Sequence, residues 1–285
     1  MWLCQFNERG FGLVEGNEIV DLTHLLEELP ATGYPYPTHD TMIAALPDLL
    51  PRIADAKMGP RLPLASVRLQ APVRNPGKFV AAPVNYAKHH EETIADPATF
   101  AREHVRKIQE TGLFLKATSS SSGPSDPIRT RFPDRRTDHE IELAAVIGRA
   151  GSNIAAADAL SYIAGYCIGL DITVRGPEER SLRKSIDSYS VLGPWLVTAD
   201  EIPDPSGLNF ELSVNGEIRQ KANTSDLIMS VPELIEFASR YYTLHPGDVL
   251  FTGTPEGVGP IQPGDKVHAN IERIGSISIS VDSSE

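Results

Sequence analysis

Glu140 and Glu142 alternate with Ile141 and Leu143, and the same stretch runs on into Ala144-Ala145-Val146-Ile147. Alternate residues of a strand share a face, so the two glutamates project together. The continuation is apolar on both faces, which sends the strand into a core. A Glu-x-Glu pair on a strand usually belongs to a solvated face. At the mouth of a core, two neighbouring carboxylates repel each other and lose hydration unless a cation or a proton compensates. The chain must therefore fold so that a buried strand end is matched by a cation or by a proton.

The flanking pattern is built of short strands. Phe11–Val14 and Glu18–Val20 enclose Glu15-Gly16-Asn17, a hairpin loop. A helix is expected near Thr38–Leu50, where Met42, Ala45, Leu46 and Leu49 recur at helical spacing. Prolines at 60, 63, 72 and 76 then mark a boundary near Arg74, giving a small N-terminal domain, 1–73, and a larger one, 74–285. Beyond it, Phe79–Ala82 reads as a strand, and Asp96–Gly112 as an amphipathic helix with Phe100, His104, Val105 and Ile108 on one face. Ser119–Ser122 by itself reads as a flexible linker. Ala155–Ser161 reads as a helix and Tyr162–Leu170 as an apolar strand ending at Asp171. Ser230-x-x-Glu233 is a capping box opening a helix expected to bury Leu234, Ile235, Ala238 and Tyr241. Strands outnumber helices, so an α+β, mainly β class is expected rather than a doubly wound sheet.

Composition excludes several functions. The 285 residues carry 26 Lys and Arg against 38 Asp and Glu, a net charge of −12, which disfavours nucleic acid and anionic membrane as partners. No apolar run approaches the roughly 18–20 residues of a membrane span, and the start lacks the pattern of a secretory signal. Two cysteines, Cys4 and Cys167, make no disulfide framework, and Cys167 reads as a small buried hydrophobe. The expectation is a soluble cytoplasmic protein.

Three further stretches bear on chemistry. Asp171 is a third carboxylate; with Glu140 and Glu142 it would make a hard-oxygen set suited to Mg²⁺, Mn²⁺ or Ca²⁺, although spacing alone does not bring it to the glutamates. In Asn85-Tyr86-Ala87-Lys88-His89-His90-Glu91-Glu92, His89 and Glu92 are three apart and would face each other on a helical turn, the pairing of a general base with its orienting acid. His90 with Glu91 competes, and a surface pair is the plainer reading. The alternating charges of Arg175–Asp187 ordinarily mean a solvated segment, and the glycines of Phe251–Gly259 could wrap an anionic group with backbone N–H groups.

Taken in order, several pieces resemble the fumarylacetoacetate hydrolase family over roughly residues 76–285. They are Asn85-Tyr86-x-x-His89-x-x-Glu92, Phe114-Leu115-Lys116, Gly123-Pro124-x-Asp126-x-Ile128, Glu140-Ile141-Glu142, and Ala164-Gly165-Tyr166 to Asp171. Arg183-Lys184-Ser185-x-Asp187, Leu192–Trp195, Val214–Glu217, Asn223-Thr224-x-Asp226, Pro246–Asp248 and Thr252–Gly259 continue the set. The resemblance implies a mixed β-roll or sandwich catalytic domain, a small N-terminal α+β domain and a homodimer. It implies Glu140, Glu142 and Asp171 as ligands of Mg²⁺ or Mn²⁺, His89 and Glu92 as a water-activating pair on a lid, and Lys184 as a catalytic lysine. Lys116, Arg175, Glu178 and Thr254 would contact substrate. Two departures stand out: Pro83-Val84 where many members have Gly-Leu, and Arg175-Gly176-Pro177-Glu178 where many have Arg-Asp-x-Gln, an acid replacing a neutral amide. The lid segment between Glu92 and Phe114 is also longer than in short members.

The implied function is hydrolysis of a carbon–carbon bond in a 2,4-dioxo acid of acylpyruvate type, in sugar-acid or aromatic catabolism. Decarboxylation, isomerisation or dehydration of a 2-oxo acid through a metal-stabilised enolate is the alternative. A non-catalytic acid-binding protein would be expected to have lost some of the six residues His89, Glu92, Glu140, Glu142, Asp171 and Lys184, and all are present.

Overall fold

The computed structural model describes residues 1–56, 59–96 and 108–283. Its centre is one large twisted sheet. From one edge, the strands are Arg61–Pro63, Glu18–Asp21, Gly10–Glu15, Trp2–Phe6, Ser190–Thr198, Ile163–Asp171, Ile141–Ile147, Val249–Phe251, Phe79–Ala81 and Phe114–Lys116. The N-terminal hairpin forms as expected, with Glu15 paired to Glu18. Its strands do not stand apart: Trp2 and Leu3 pair with Val197 and Leu196, so the sheet runs on into the larger part of the chain. A second sheet of five strands, Glu217–Asn223, Asn209–Val214, Lys266–Ile271, Gly275–Ser283 and Ile128–Thr130, packs nearby. The mainly β expectation holds.

Ile141–Ile147 is buried along its whole length and lies between two cores. Ile141, Leu143, Ala145 and Ile147 enter the larger core. Ala144 and Val146 enter the other, which the N-terminal hairpin and the helix Thr41–Asp55 also line. The period-2 geometry therefore puts Glu142 on the second face, in line with Ala144 and Val146.

The helix begins at Thr41 rather than Thr38 because Asp40 caps it, accepting from the Ile43 N–H at 3.0 Å. The other Asp40 oxygen takes the N–H groups of Arg74 and Asn75, which fastens the helix to the connection between the two parts. It runs through Pro51 to Asp55 because buried Ile53 anchors the last turn.

The capping box forms and opens Val231–Tyr241. Leu234, Ile235 and Ala238 are buried, but Tyr241, the last residue of the helix, is 71% exposed although it follows Ala238 by three and Leu234 by seven. Ala156–Tyr162 is a 3₁₀ helix rather than an α-helix. Ser119–Ser122 is not a linker: Ser120 is buried against Ser190, their hydroxyls 2.6 Å apart, and Ser121–Ser122 pairs with Ser190–Val191. Of the expected helix Asp96–Gly112, residues Phe100, His104 and Val105 lie outside the described residues. Ile108–Thr111 is helical with Ile108 buried, and Gly112 ends it at φ +72°. Cys4 and Cys167 are buried free thiols.

Candidate active site

The strands Ile141–Ile147 and Ile163–Asp171 run antiparallel with Ile141 opposite Leu170. One step further, Asp171 stands opposite Glu140, and its N–H donates to the Glu140 carbonyl at 2.9 Å. Cross-strand partners share a face. The register therefore converges Glu140, Glu142 and Asp171, all buried, with ligand oxygens within 4.8 Å of one another. This register is what spacing in the sequence did not supply.

Two lysines meet the cluster. Lys184 Nζ donates to Glu140 Oε2 at 2.6 Å, Asp171 Oδ2 at 2.7 Å and Thr173 Oγ1 at 2.7 Å. Lys116 Nζ donates to Asp171 Oδ1 and to the Tyr189 carbonyl, from behind the carboxylate rather than from the cleft. Arg175 bridges Glu140 at 3.1 Å and Asp138 at 2.7 Å. Burial alone would raise the Glu140 carboxyl, but Lys184 and Arg175 overcome it and hold it down to about 2. Glu142 has no cation hydrogen-bonded to it among the described residues. Its Oε2 accepts the Gly253 N–H at 2.6 Å, and burial, then the facing Asp171, push its carboxyl well above the usual range against the pull of Lys184.

That asymmetry tests whether a cation fits. With all three carboxylates ionised, as ligands of a cation would be, they leave one net negative charge against the two lysines, concentrated where Glu142 faces Asp171. A divalent ion would reverse this to one net positive charge, complementary to an anionic substrate. Three convergent carboxylates are hard donors, of the kind that hold Mg²⁺ or Mn²⁺. The residues present fit such an ion.

The helix Ala87–Ala95 carries the basic group. His89 is turned inward and buried, and its Nδ1 lies 2.8 Å from Glu92 Oε2, while Glu91 of the competing pair is exposed. The second Glu92 oxygen accepts the Gly257 N–H at 3.0 Å. The loop after Phe251 thus does wrap anionic groups, but these are the protein's own carboxylates, Glu142 and Glu92. Gly253 sits at φ +102°, and a Cβ there would meet Asn85 Cβ at 2.6 Å, so only glycine lets the loop approach. Asn85, fully buried, holds the start of the helix to the Thr252 and Met229 carbonyls at 2.8 and 2.9 Å. Val84 just before it has φ +41°, a left-handed conformation costly for a β-branched residue, at the wall of the cleft.

The cleft, about 40 Å³, is lined by His89, Glu140, Glu142, Asp171, Arg175, Lys184 and Thr254 among the expected residues. Thr254 Oγ1 accepts from Gln220 Nε2 at 2.8 Å, which leaves the threonine hydroxyl proton to donate elsewhere. Glu178 does not line the cleft. It pairs with Arg135 at 2.7 Å, and Arg135 holds its carboxyl below the usual range. Arg135 also donates to the Arg175 carbonyl at 2.9 and 3.0 Å, so the acid at 178 braces Arg175 indirectly.

Sequence reasoning missed Thr173, Gln220, Asp138, Arg180 and Phe114 as parts of the site. Arg183 and Lys184 are buried, contrary to the solvated reading of Arg175–Asp187. Gln220 accepts from the Ile141 N–H and contacts His139 Nδ1, both at 3.1 Å, and donates to Thr254 and Pro255. Its alternation within Glu217–Asn223 offered no sign of that role.

Residues 78–282 match the family model described as fumarylacetoacetate (FAA) hydrolase C-terminal. A maleylpyruvate hydrolase of Aquipseudomonas alcaligenes is 54% identical over 284 residues, covering 99% of each chain. The crystal structure of maleylpyruvate hydrolase from Sphingobium sp. SYK-6, in complex with manganese (II) ion and pyruvate, superposes with a TM-score of 0.86 at 38% identity, covering all of both chains. A mitochondrial oxaloacetate tautomerase, Fahd2a of Rattus norvegicus, is 35% identical over 92% of this chain and 83% of its own.

Proposed function

The chain belongs to the fumarylacetoacetate hydrolase family, and from that premise we propose that it hydrolyses the C3–C4 bond of a 2,4-dioxo acid of acylpyruvate type. The products are pyruvate, or a related 2-oxo acid, and a carboxylic acid. The observation that carries this reading is the presence of His89, backed by Glu92, in the same cleft as the three carboxylates. A base positioned to activate water is what hydrolysis needs beyond enolate chemistry. The 54% identical relative, named for maleylpyruvate, supports it.

Glu140, Glu142 and Asp171 would hold Mn²⁺ or Mg²⁺; the Sphingobium neighbour contains manganese. When bound, the ion supplies Lewis-acid stabilisation of negative charge developing on the 2-oxo oxygen. The chain's own groups do the rest. Glu92 fixes the His89 ring through Nδ1, and Nε2 is the nitrogen that takes a proton from water. The water oxygen attacks the 4-carbonyl, the C3–C4 bond breaks, and its electron pair stays on C3. The proton on His89 Nε2 then completes the methyl group of pyruvate. Lys184 adds a fixed positive charge at the site of the developing enolate. The Thr254 hydroxyl donates to the substrate carboxylate, and Arg175 holds Glu140. Lys116 acts through Asp171, and Glu178 through Arg135.

The same reading has 74–285 as the catalytic unit, because every cleft residue lies there, with 1–73 as a small appended unit. It has the chain as a homodimer, as the family resemblance implies, and places it in the cytoplasm, where free thiols such as Cys4 and Cys167 persist. The oxaloacetate tautomerase relative favours a second activity, enolisation of a 2-oxo diacid at the same centre.

Acylpyruvates absorb in the ultraviolet as enols, so the test is direct. Protein stripped with a chelator should leave maleylpyruvate and acetylpyruvate absorbance unchanged. Added Mn²⁺ or Mg²⁺ should bleach at least one, with pyruvate released in equal amount. If neither is cleaved while oxaloacetate tautomerises, the hydrolase reading falls and the second stands.

A further inference from the structure

Four cations line the cleft, and three of them have engaged head groups. Lys184 is held by Glu140 and Asp171. Arg175 is held by Asp138 and Glu140. Arg183 donates to the Glu178 and Val174 carbonyls at 2.8 and 3.3 Å. Arg180 differs: it lines the cleft, yet among the described residues its guanidinium meets only the ring of Phe114, 5.4 Å from the centroid. The adjacent Glu179 makes no ion pair with it among the described residues: its carboxylate accepts the Ser181 N–H as the helix cap and acts on Arg180 only as a nearby charge. A half-buried guanidinium has five donors to satisfy, and a carboxylate matches its fork.

Its place relative to the chemistry is fixed by the short helix Arg180–Lys184. Residues four apart share a face, so Arg180 projects beside Lys184, about 6 Å further along the axis. The Phe114 ring lies beneath both, with Lys184 Nζ 5.7 Å from its centroid. The cleft therefore offers, in sequence, a carboxylate and lysine centre, an apolar floor, and a second positive head group one helical turn away.

We propose that Arg180 binds a second carboxylate at the far end of the acyl group, so that the site takes acylpyruvates with a dicarboxylic tail in preference to those with a neutral one. The proposal rests on the hydrolase reading. The 4-carbonyl sits at the reacting centre, two or so carbons cross the Phe114 ring, and the terminal carboxylate meets the guanidinium. Arg180 is then a specificity residue that touches substrate away from the bond that breaks.

The test uses the full-length, manganese-loaded protein and compares maleylpyruvate with acetylpyruvate, whose acyl tail is a bare methyl. Arg180→Met should raise KM for maleylpyruvate about 10- to 100-fold, the loss expected for one charge-assisted, desolvated pair. Its kcat/KM preference over acetylpyruvate should fall by a similar factor. Arg180→Lys should recover part of the preference, since the charge remains but the fork is lost. Binding of maleate, read by calorimetry, should weaken in parallel, with acetate as the reference ligand. Equal losses on the two substrates, or a maleylpyruvate KM within about twofold of the parent, would overturn the assignment while leaving the hydrolase reading intact. A parent protein that cleaves neither substrate would instead overturn the hydrolase reading.

Discussion

Glutamine at position 142 should stabilise the protein in a chelator and weaken its response to manganese. In the folded chain without a divalent ion, burial and the facing Asp171 push the Glu142 carboxyl well above its ordinary value of 4.5. The folded state then holds that proton more tightly than the unfolded state does. Stability is therefore lost as pH rises above 4.5, up to the folded value. At pH 7, two and a half units above 4.5, the loss has a ceiling between about 3 and 4 kcal/mol, since each pH unit is worth about 1.4 kcal/mol. Glu142→Gln removes the titration, keeps an oxygen for the Gly253 N–H, and offers an amide N–H to the facing carboxylates. In EDTA at pH 7 the variant should melt above the parent by up to roughly 14 °C, at about 2–4 °C per kcal/mol for a large domain. Near pH 4.5 the difference should close. With Mn²⁺ at a hundred times its dissociation constant the parent should gain about 2.7 kcal/mol, and the variant, missing one charged ligand, less. The assay is thermal unfolding across pH with and without metal. A variant that melts below the parent in EDTA at pH 7, or gains as much from Mn²⁺, would refute the reasoning.

His89→Ala and Glu92→Gln should each lower kcat for acylpyruvate cleavage by about 10²–10⁴-fold, while the manganese-induced rise in Tm persists; loss of both together would place the pair among the ligands. Gln220→Leu leaves buried partners at Ile141, His139, Thr254 and Pro255 without hydrogen bonds, so it should cost at least about 2 kcal/mol in urea denaturation. Burial pushes the Cys4 and Cys167 thiols up to about 12. Neither should react with a disulfide reagent at pH 8 until denaturant is added. Because the unfolded thiols ionise first, stability should decline as pH rises above 9.

The sequence showed the strand that enters the core, the hairpin, the capping box and the His89–Glu92 spacing, because each depends on neighbours within a few residues. It did not show that Asp171 faces Glu140, since pairing register between strands thirty residues apart is a long-range fact. Arg175–Asp187 misread for the related reason that charge alternation looks solvated unless its acidic partners are known. Here those partners, Asp138, Glu140 and Asp171, lie on other strands. The departure at Glu178 resolves the same way, through Arg135, 43 residues away in the chain. Ser119–Ser122 looked like a linker because four serines have no pattern, yet one buried hydroxyl pair suffices to seat them.

The pairing of Trp2 and Leu3 with Val197 and Leu196, reinforced by Trp2 stacked on Trp195 at 5.6 Å, bears on how the chain can be divided. Cut near Arg74, the larger fragment would keep every cleft residue but bare the Leu196–Val197 end of the strand Ser190–Thr198, while Ser121–Ser122 would still cover its Ser190–Val191 end. Its unpaired N–H and C=O groups would then template pairing with other molecules. The bared end lies opposite Gly165 and Tyr166, whereas Asp171 faces Ser190 at the other end, so self-association would begin away from the ligand set. The first seventy residues thus serve as a border for the sheet, and a trimmed enzyme would be limited by solubility before chemistry.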